Sequence, residues 1–334
     1  MDTKQNSSSI YVESKKGAHS KPIISIDVNK SNPFQALTSS DDKTLRLWDL
    51  KSKISVKMFT SNEQKKAEQI ANCIFGPEFQ IYVAASKNVI QYDLRKEGIV
   101  VTSIEKASNF EMDDINQISL DQNNKFLACC DDQGDTHLLD PMTLERQKTL
   151  GMQHINISFS TDFCYSDSNY TKPMCITSGF DCKLILWDIE EKKILRQNNI
   201  YEICQKYFPG QLLCPPNIYN VHGNKTQILV STETGHILCF TQKELKKPKY
   251  IIDGHLGKVM RSVFAKFNEN RIISCSTDKT FAIWDTANRN EFDIPQMVER
   301  ISIPEKPNWI ETSKNNQIFV PDITPILNIY TIKA

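Results

Sequence analysis

Hydrophobic and polar positions along this chain fall into a recurring unit. Residues Arg271–Asp285 read RIISCSTDKTFAIWD: an apolar run, a short polar turn, then a second run in which Phe281 and Ile283 alternate with Thr280 and Ala282 before Trp284. Alternation with period two beyond a tight turn predicts a β-hairpin with Asp-Lys-Thr at its turn. Residues Gln35–Asp49, QALTSSDDKTLRLWD, align with it without a gap, placing Thr38 on Ser274, Asp42 on Asp278 and Trp48 on Trp284. Residues Met174–Asp188, MCITSGFDCKLILWD, put Thr177, Asp181 and Trp187 at the same positions. An upstream histidine completes each unit: His19, His154 and His255.

Four weaker units fill the remaining sequence. They close on Tyr92-Asp93, Leu139-Asp140, Phe240-Thr241 and Tyr330-Thr331. The closing position stays large and apolar in every copy, as a core position must, while the Asp and His come and go. Self-similarity at this spacing marks an architecture in which a single unit cannot bury its own faces and the neighbours must do so. The prediction is one domain over 1–334, with approximate blades 15–60, 66–105, 112–150, 152–200, 212–245, 251–292 and 298–334 plus 8–14.

These residues resemble the WD-repeat family, whose unit runs from a Gly-His pair through a turn Asp to a closing Trp-Asp. The resemblance implies an all-β fold, a seven-bladed WD-repeat β-propeller of four-stranded antiparallel sheets around a central channel. The chain stops directly after the run Ile326–Ile332, so the last blade lacks its outer strand, and Ile10-Tyr11-Val12 is the strand expected to close the ring. In a complete unit the Trp indole N–H can donate to the Ser or Thr hydroxyl, the hydroxyl bonds the His, and the His donates its other N–H to the turn Asp.

Asp, His and Ser are also the cast of a hydrolase triad. Here the set recurs in three units, each beside a Trp that takes the hydroxyl, whereas a nucleophile needs to occur once, exposed in a pocket. The expected role is structural, and the expected protein is not an enzyme.

Composition narrows the partners. Lys plus Arg and Asp plus Glu both number 40, so the net charge is zero, which speaks against a dominant nucleic-acid surface. No apolar run approaches the roughly 20 residues of a membrane helix. The polar first nine residues carry no secretory signal, which points to the cytoplasm and leaves nuclear or ciliary placement open. The 10 cysteines contain no Cys-x-x-Cys and no grouping with His at zinc spacing, so reduced core thiols are expected and no metal or cofactor.

A narrower resemblance covers most of the chain. The run INQISLDQNNKFLACCDDQG, the loop PGQLL and the pair Asn308-Trp309 resemble the WD repeat-containing protein 53 subfamily. This implies an adaptor or scaffold whose partners are other proteins. Some WD-repeat proteins are substrate receptors that dock on the adaptor of cullin-4 ubiquitin ligases through a repeat ending in Trp-Asp-x-Arg. This chain offers Tyr92-Asp93-Leu94-Arg95, with Tyr for Trp, and Trp48-Asp49-Leu50-Lys51, with Lys for Arg. Neither is a full match, and Lys lacks the planar fork of Arg. A third reading is a structural subunit of a large assembly such as a ciliary axoneme, with axonemal proteins as partners.

Between the units, Ser61–Gln69 is expected to form a short helix. Lys193–Pro216 reads as a long connection, Lys243–Lys249 as a solvated loop, and Pro321 as a shortening element in the last blade.

Overall fold

The computed structural model describes residues 10–15, 18–109, 113–151, 153–166, 171–210, 214–291 and 293–333. The strands form seven sheets, each built on a four-stranded antiparallel meander whose inner strand comes first in sequence, apart from the last, which takes its outer strand from the N-terminus. The chain is a seven-bladed β-propeller. The first blade runs Ile23–Val28, Gln35–Ser40, Leu45–Asp49 and Ile54–Phe59 from the channel outward. In the last, Ile10–Lys15 pairs antiparallel with Leu327–Ile332, Ile10 opposite Ile332, so the first strand of the chain supplies the outer edge.

Ring closure is visible in the packing. There are seven apolar clusters among the described residues, and each lies between two consecutive blades. The cluster that joins the two ends of the chain packs Ile26, Ala36 and Trp48 of the first blade on Phe319, Leu327 and Ile329 of the last. A sheet buried on both faces needs apolar residues at consecutive positions in its middle strands. Leu127–Asp131 and Pro173–Gly179 are buried throughout.

The inner strands raise a different problem, because one edge of each is left without a sheet partner and its N–H groups are buried. Polar side chains of the preceding blade satisfy several of them. Ser25 Oγ accepts from the Cys73 N–H (3.0 Å), Asn72 Oδ1 from Ile118 (2.8 Å), Ser160 Oγ from Val221 (2.9 Å) and Asn220 Oδ1 from Ser262 (3.2 Å). One turn of the pleat further on, Asp27 Oδ2 accepts from Phe75 and Asp162 Oδ2 from Gly223, both at 2.9 Å. These polar residues thus lace the first blade to the second, the second to the third, the fourth to the fifth and the fifth to the sixth.

Several boundaries differ from the sequence reading. The outer strand of the fifth blade is Tyr250–Asp253 and that of the sixth is Pro295–Ser302, so both blades extend past 245 and 292. Lys193–Asn199 is the outer strand of the fourth blade, and Ile200–Tyr207 is a helix capped by the Asn199 side chain, so that connection begins as regular structure. The helix expected after the first blade spans Asn62–Lys66, with Ser61 Oγ accepting from the Gln64 N–H. Pro321 ends a five-residue strand and pairs with Leu327. Val100–Val101, from the second blade's last loop, adds a parallel strand to the first blade's edge.

Candidate functional site

Each complete unit brings its four residues together. In the sixth blade Trp284 Nε1 donates to Ser274 Oγ (2.9 Å), His255 Nε2 lies 2.8 Å from the same oxygen, and His255 Nδ1 lies 3.1 Å from Asp278 Oδ2. Asp278 is acceptor-only, which places a hydrogen on Nδ1. In the first blade the distances for Trp48–Thr38, His19–Thr38 and His19–Asp42 are 2.8, 2.8 and 3.0 Å. In the fourth, Trp187–Thr177, His154–Thr177 and His154–Asp181 are each 2.9 Å. Gly254, ahead of His255, sits so close to the Trp284 ring that a Cβ there would come within 2.3 Å of it.

Burial pushes the Asp42 and Asp278 carboxyls up, but the hydrogen bonds from His19 and His255, then those from Thr44, Thr280 and the backbone, outweigh it and hold both well below the usual carboxylate range. Asp181 is held down in the same way, chiefly by His154. Every hydroxyl in the three networks is fully buried or nearly so and already accepts an indole N–H. None is placed as a nucleophile.

The weaker blades solve the same problem with residues that the repeat pattern does not mark. Tyr92 is fully buried and its hydroxyl donates to Gln64 Oε1 of the short helix (2.7 Å). In the third blade His137, from the strand after the turn, lies 3.0 Å from Asp131 and from Thr149 Oγ1. In the fifth, His236 stacks on Phe208 at 4.0 Å and lies 2.8 Å from Thr234 Oγ1, and burial pushes its imidazole pKa down. The last blade uses Asp322, which accepts from Thr324 Oγ1 and Asn328 Nδ2.

The repeat ends reach the rim. Arg95 Nε and Nη2 donate to the Asp93 carboxylate at 2.6 to 3.1 Å, and the guanidinium lies 4.9 Å from the Phe79 ring centroid. Its side chain remains 63% exposed. The turn is braced by Lys57 Nζ, which donates to the Leu94 and Lys96 carbonyls. Lys51 lies 4.3 Å over Phe34 in the same relation, but Asp49 accepts from Ser52 Oγ and the Lys51 backbone N–H rather than the ammonium. Asp93, Arg95 and Lys51 are therefore at the surface, while Tyr92 lies beneath it.

Nine cysteines are buried and Cys214 is exposed, and burial pushes the Cys73, Cys175 and Cys275 thiols up to about 12. Among the described residues there is no group of three His, Cys, Asp or Glu side chains placed to hold a metal ion. No helix among them is long and apolar enough to cross a membrane.

Comparison with known proteins gives the same outline. The family model described as "WD domain, G-beta repeat" matches residues 12–49 and 246–285, two segments that each end on a Trp-Asp pair. The chain is similar to the WD repeat-containing protein 53 homolog of Dictyostelium discoideum, at 27% identity over 96% of this chain and 95% of that protein. It is also similar, over 40% of its length, to E3 ubiquitin-protein ligase COP1 of Pisum sativum (28% identical) and Arabidopsis thaliana (27%), of which the match spans 17%.

Proposed function

Because the chain is a seven-bladed WD-repeat propeller, we propose that it works as a protein-interaction scaffold rather than a catalyst. The observation that carries this reading is the fate of the Asp–His–hydroxyl sets in the three complete units. All three are buried inside blades, with the hydroxyl occupied by an indole N–H, so they hold the fold. What the ring then offers a partner is its surface.

The finer reading is a substrate receptor for a cullin-4 ubiquitin ligase, docking through Arg95 with Asp93. It is supported by the exposed, braced guanidinium at a repeat end and by the Tyr92-Asp93-Leu94-Arg95 sequence. Asp93 presets the planar fork while Phe79 covers one face of it, so little side-chain entropy is lost when a partner carbonyl or carboxylate arrives. Affinity purification of the full chain tests both readings. Recovery of the cullin-4 adaptor, abolished by Arg95→Ala with an unchanged melting temperature, is the expected result. Recovery undiminished by Arg95→Ala moves the contact to Lys51. Recovery of tubulin or axonemal proteins in place of the adaptor refutes the receptor reading in favour of a structural subunit.

A further inference from the structure

The central channel opens into a cavity of about 570 Å³ where the inner strands end. One residue in its wall is charged where the equivalent residues of the first, third, fourth and fifth blades, Ser25, Gln117, Ser160 and Asn220, are uncharged. Ser25, Ser160 and Asn220 pair across their hairpins with Ser39, Ser178 and Ser231, and each uses its side chain to staple the next inner strand. The equivalent residue of the sixth blade, opposite Cys275, is Arg261. It staples nothing. Its guanidinium lies 3.9 Å over the ring of Trp309, at the entry to the last blade.

The surroundings leave donors without acceptors. Arg261 is 8% exposed, and its Nε and Nη1 have no hydrogen-bond partner. Trp309 Nε1 is buried and unpartnered as well. Neither side chain can accept a hydrogen bond, so the cluster lacks oxygen acceptors and nothing else. Glu311 and Asp162 offset the charge of Arg261 only at longer range and leave those donors without acceptors, and buried donors left so mark a place where an external acceptor can complete the set.

The neighbouring charges indicate which partner. Lys266 is spoken for, 3.3 Å from Glu311 and 3.8 Å from Asp27. Asp162 already accepts the Gly223 N–H. Arg261 makes no such pair with any described carboxylate. The described wall carries six Lys and Arg side chains against four carboxylates, a small positive excess. A monoanionic carboxylate matches one guanidinium fork and that excess, whereas a phosphate dianion would meet Glu311 and Asp162 with twice the repulsion.

We infer that this end of the channel binds the carboxylate of a glutamate or aspartate side chain presented by a partner polypeptide, with Arg261 on Trp309 as the receiving group. This rests on the scaffold reading of the propeller but not on docking through Arg95. Calorimetric titration of the full chain with acetyl-tetraglutamate amide tests it. Saturable binding is expected, weakened at least about tenfold by Arg261→Lys, which keeps the charge and loses the fork, and by Arg261→Gln. Trp309→Phe keeps the stacking surface and loses the indole donor, so a smaller loss is expected. Melting curves confirm that each variant is folded. Binding unchanged in all three variants, no saturable binding by the unmodified chain, or tighter binding of inorganic phosphate or free glutarate than of the peptide overturns the proposal. Because no other protein is present, its failure is separate from failure of the scaffold reading, which co-purification decides.

Discussion

Removing the hydroxyl at the centre of one blade network should cost more alone than in combination. Ser274→Ala deletes the oxygen that faces both Trp284 Nε1 at 2.9 Å and His255 Nε2 at 2.8 Å. Both groups are buried, so two polar atoms lose their partner at about 1–3 kcal/mol each. Trp284→Phe removes the indole N–H and leaves the serine bonded to His255. In the double variant the indole donor is already gone, so its penalty is not paid again. The double variant should therefore be more stable than the sum of the singles predicts, by about 1–3 kcal/mol. Urea unfolding followed by circular dichroism measures the four proteins, compared only where the slope with denaturant is shared. A coupling within about 0.5 kcal/mol of zero, the range of independent sites, refutes the network. As a control, Thr38→Ala in the first blade and Ser274→Ala in the sixth should add.

Two further outcomes follow from other parts of the ring. Deleting residues 1–15 strips the last blade of its outer strand and leaves Leu327–Ile332 as an open edge, so a lower melting temperature and aggregation by light scattering are expected; a soluble, equally stable deletion would contradict closure at Ile10–Lys15. Asp42, Asp181 and Asp278 titrate below their ordinary 3.8 in the fold, so the stability they contribute is whole above that value and is lost as pH falls beneath it toward the lower folded value. Burial shifts Asp27 and Asp322 the other way, with the opposite sign, so the comparison is between the protein and its triple Asp→Asn variant at those three positions. The variant should lose less stability between pH 5 and about 2; equal losses would mean that the three carboxylates are not held by their histidines.

The repeat register, the blade count and the members of the three complete networks are legible in the sequence, because each depends on local spacing. Ser274, Asp278 and Trp284 lie within one hairpin, and alternation with a tight turn fixes which of them share a face. The closing strand is also legible, as the strand-like run Ile10-Tyr11-Val12 ahead of the first unit, which pairs with Leu327–Ile332. What occupies the gaps in that pattern is decided by tertiary structure. Gln64 replaces a histidine beneath Tyr92 because a helix from the preceding loop folds over the blade, and nothing in the sequence between them, 28 positions apart, signals the contact. Arg261 meets Trp309 across a boundary between blades, 48 positions apart by number, through packing that exists only when the sixth and last blades are stacked. Periodicity reports which side of its own sheet a residue faces. Whether an acceptor stands opposite it depends on the neighbouring sheet, and that is set by the circumference of the whole ring.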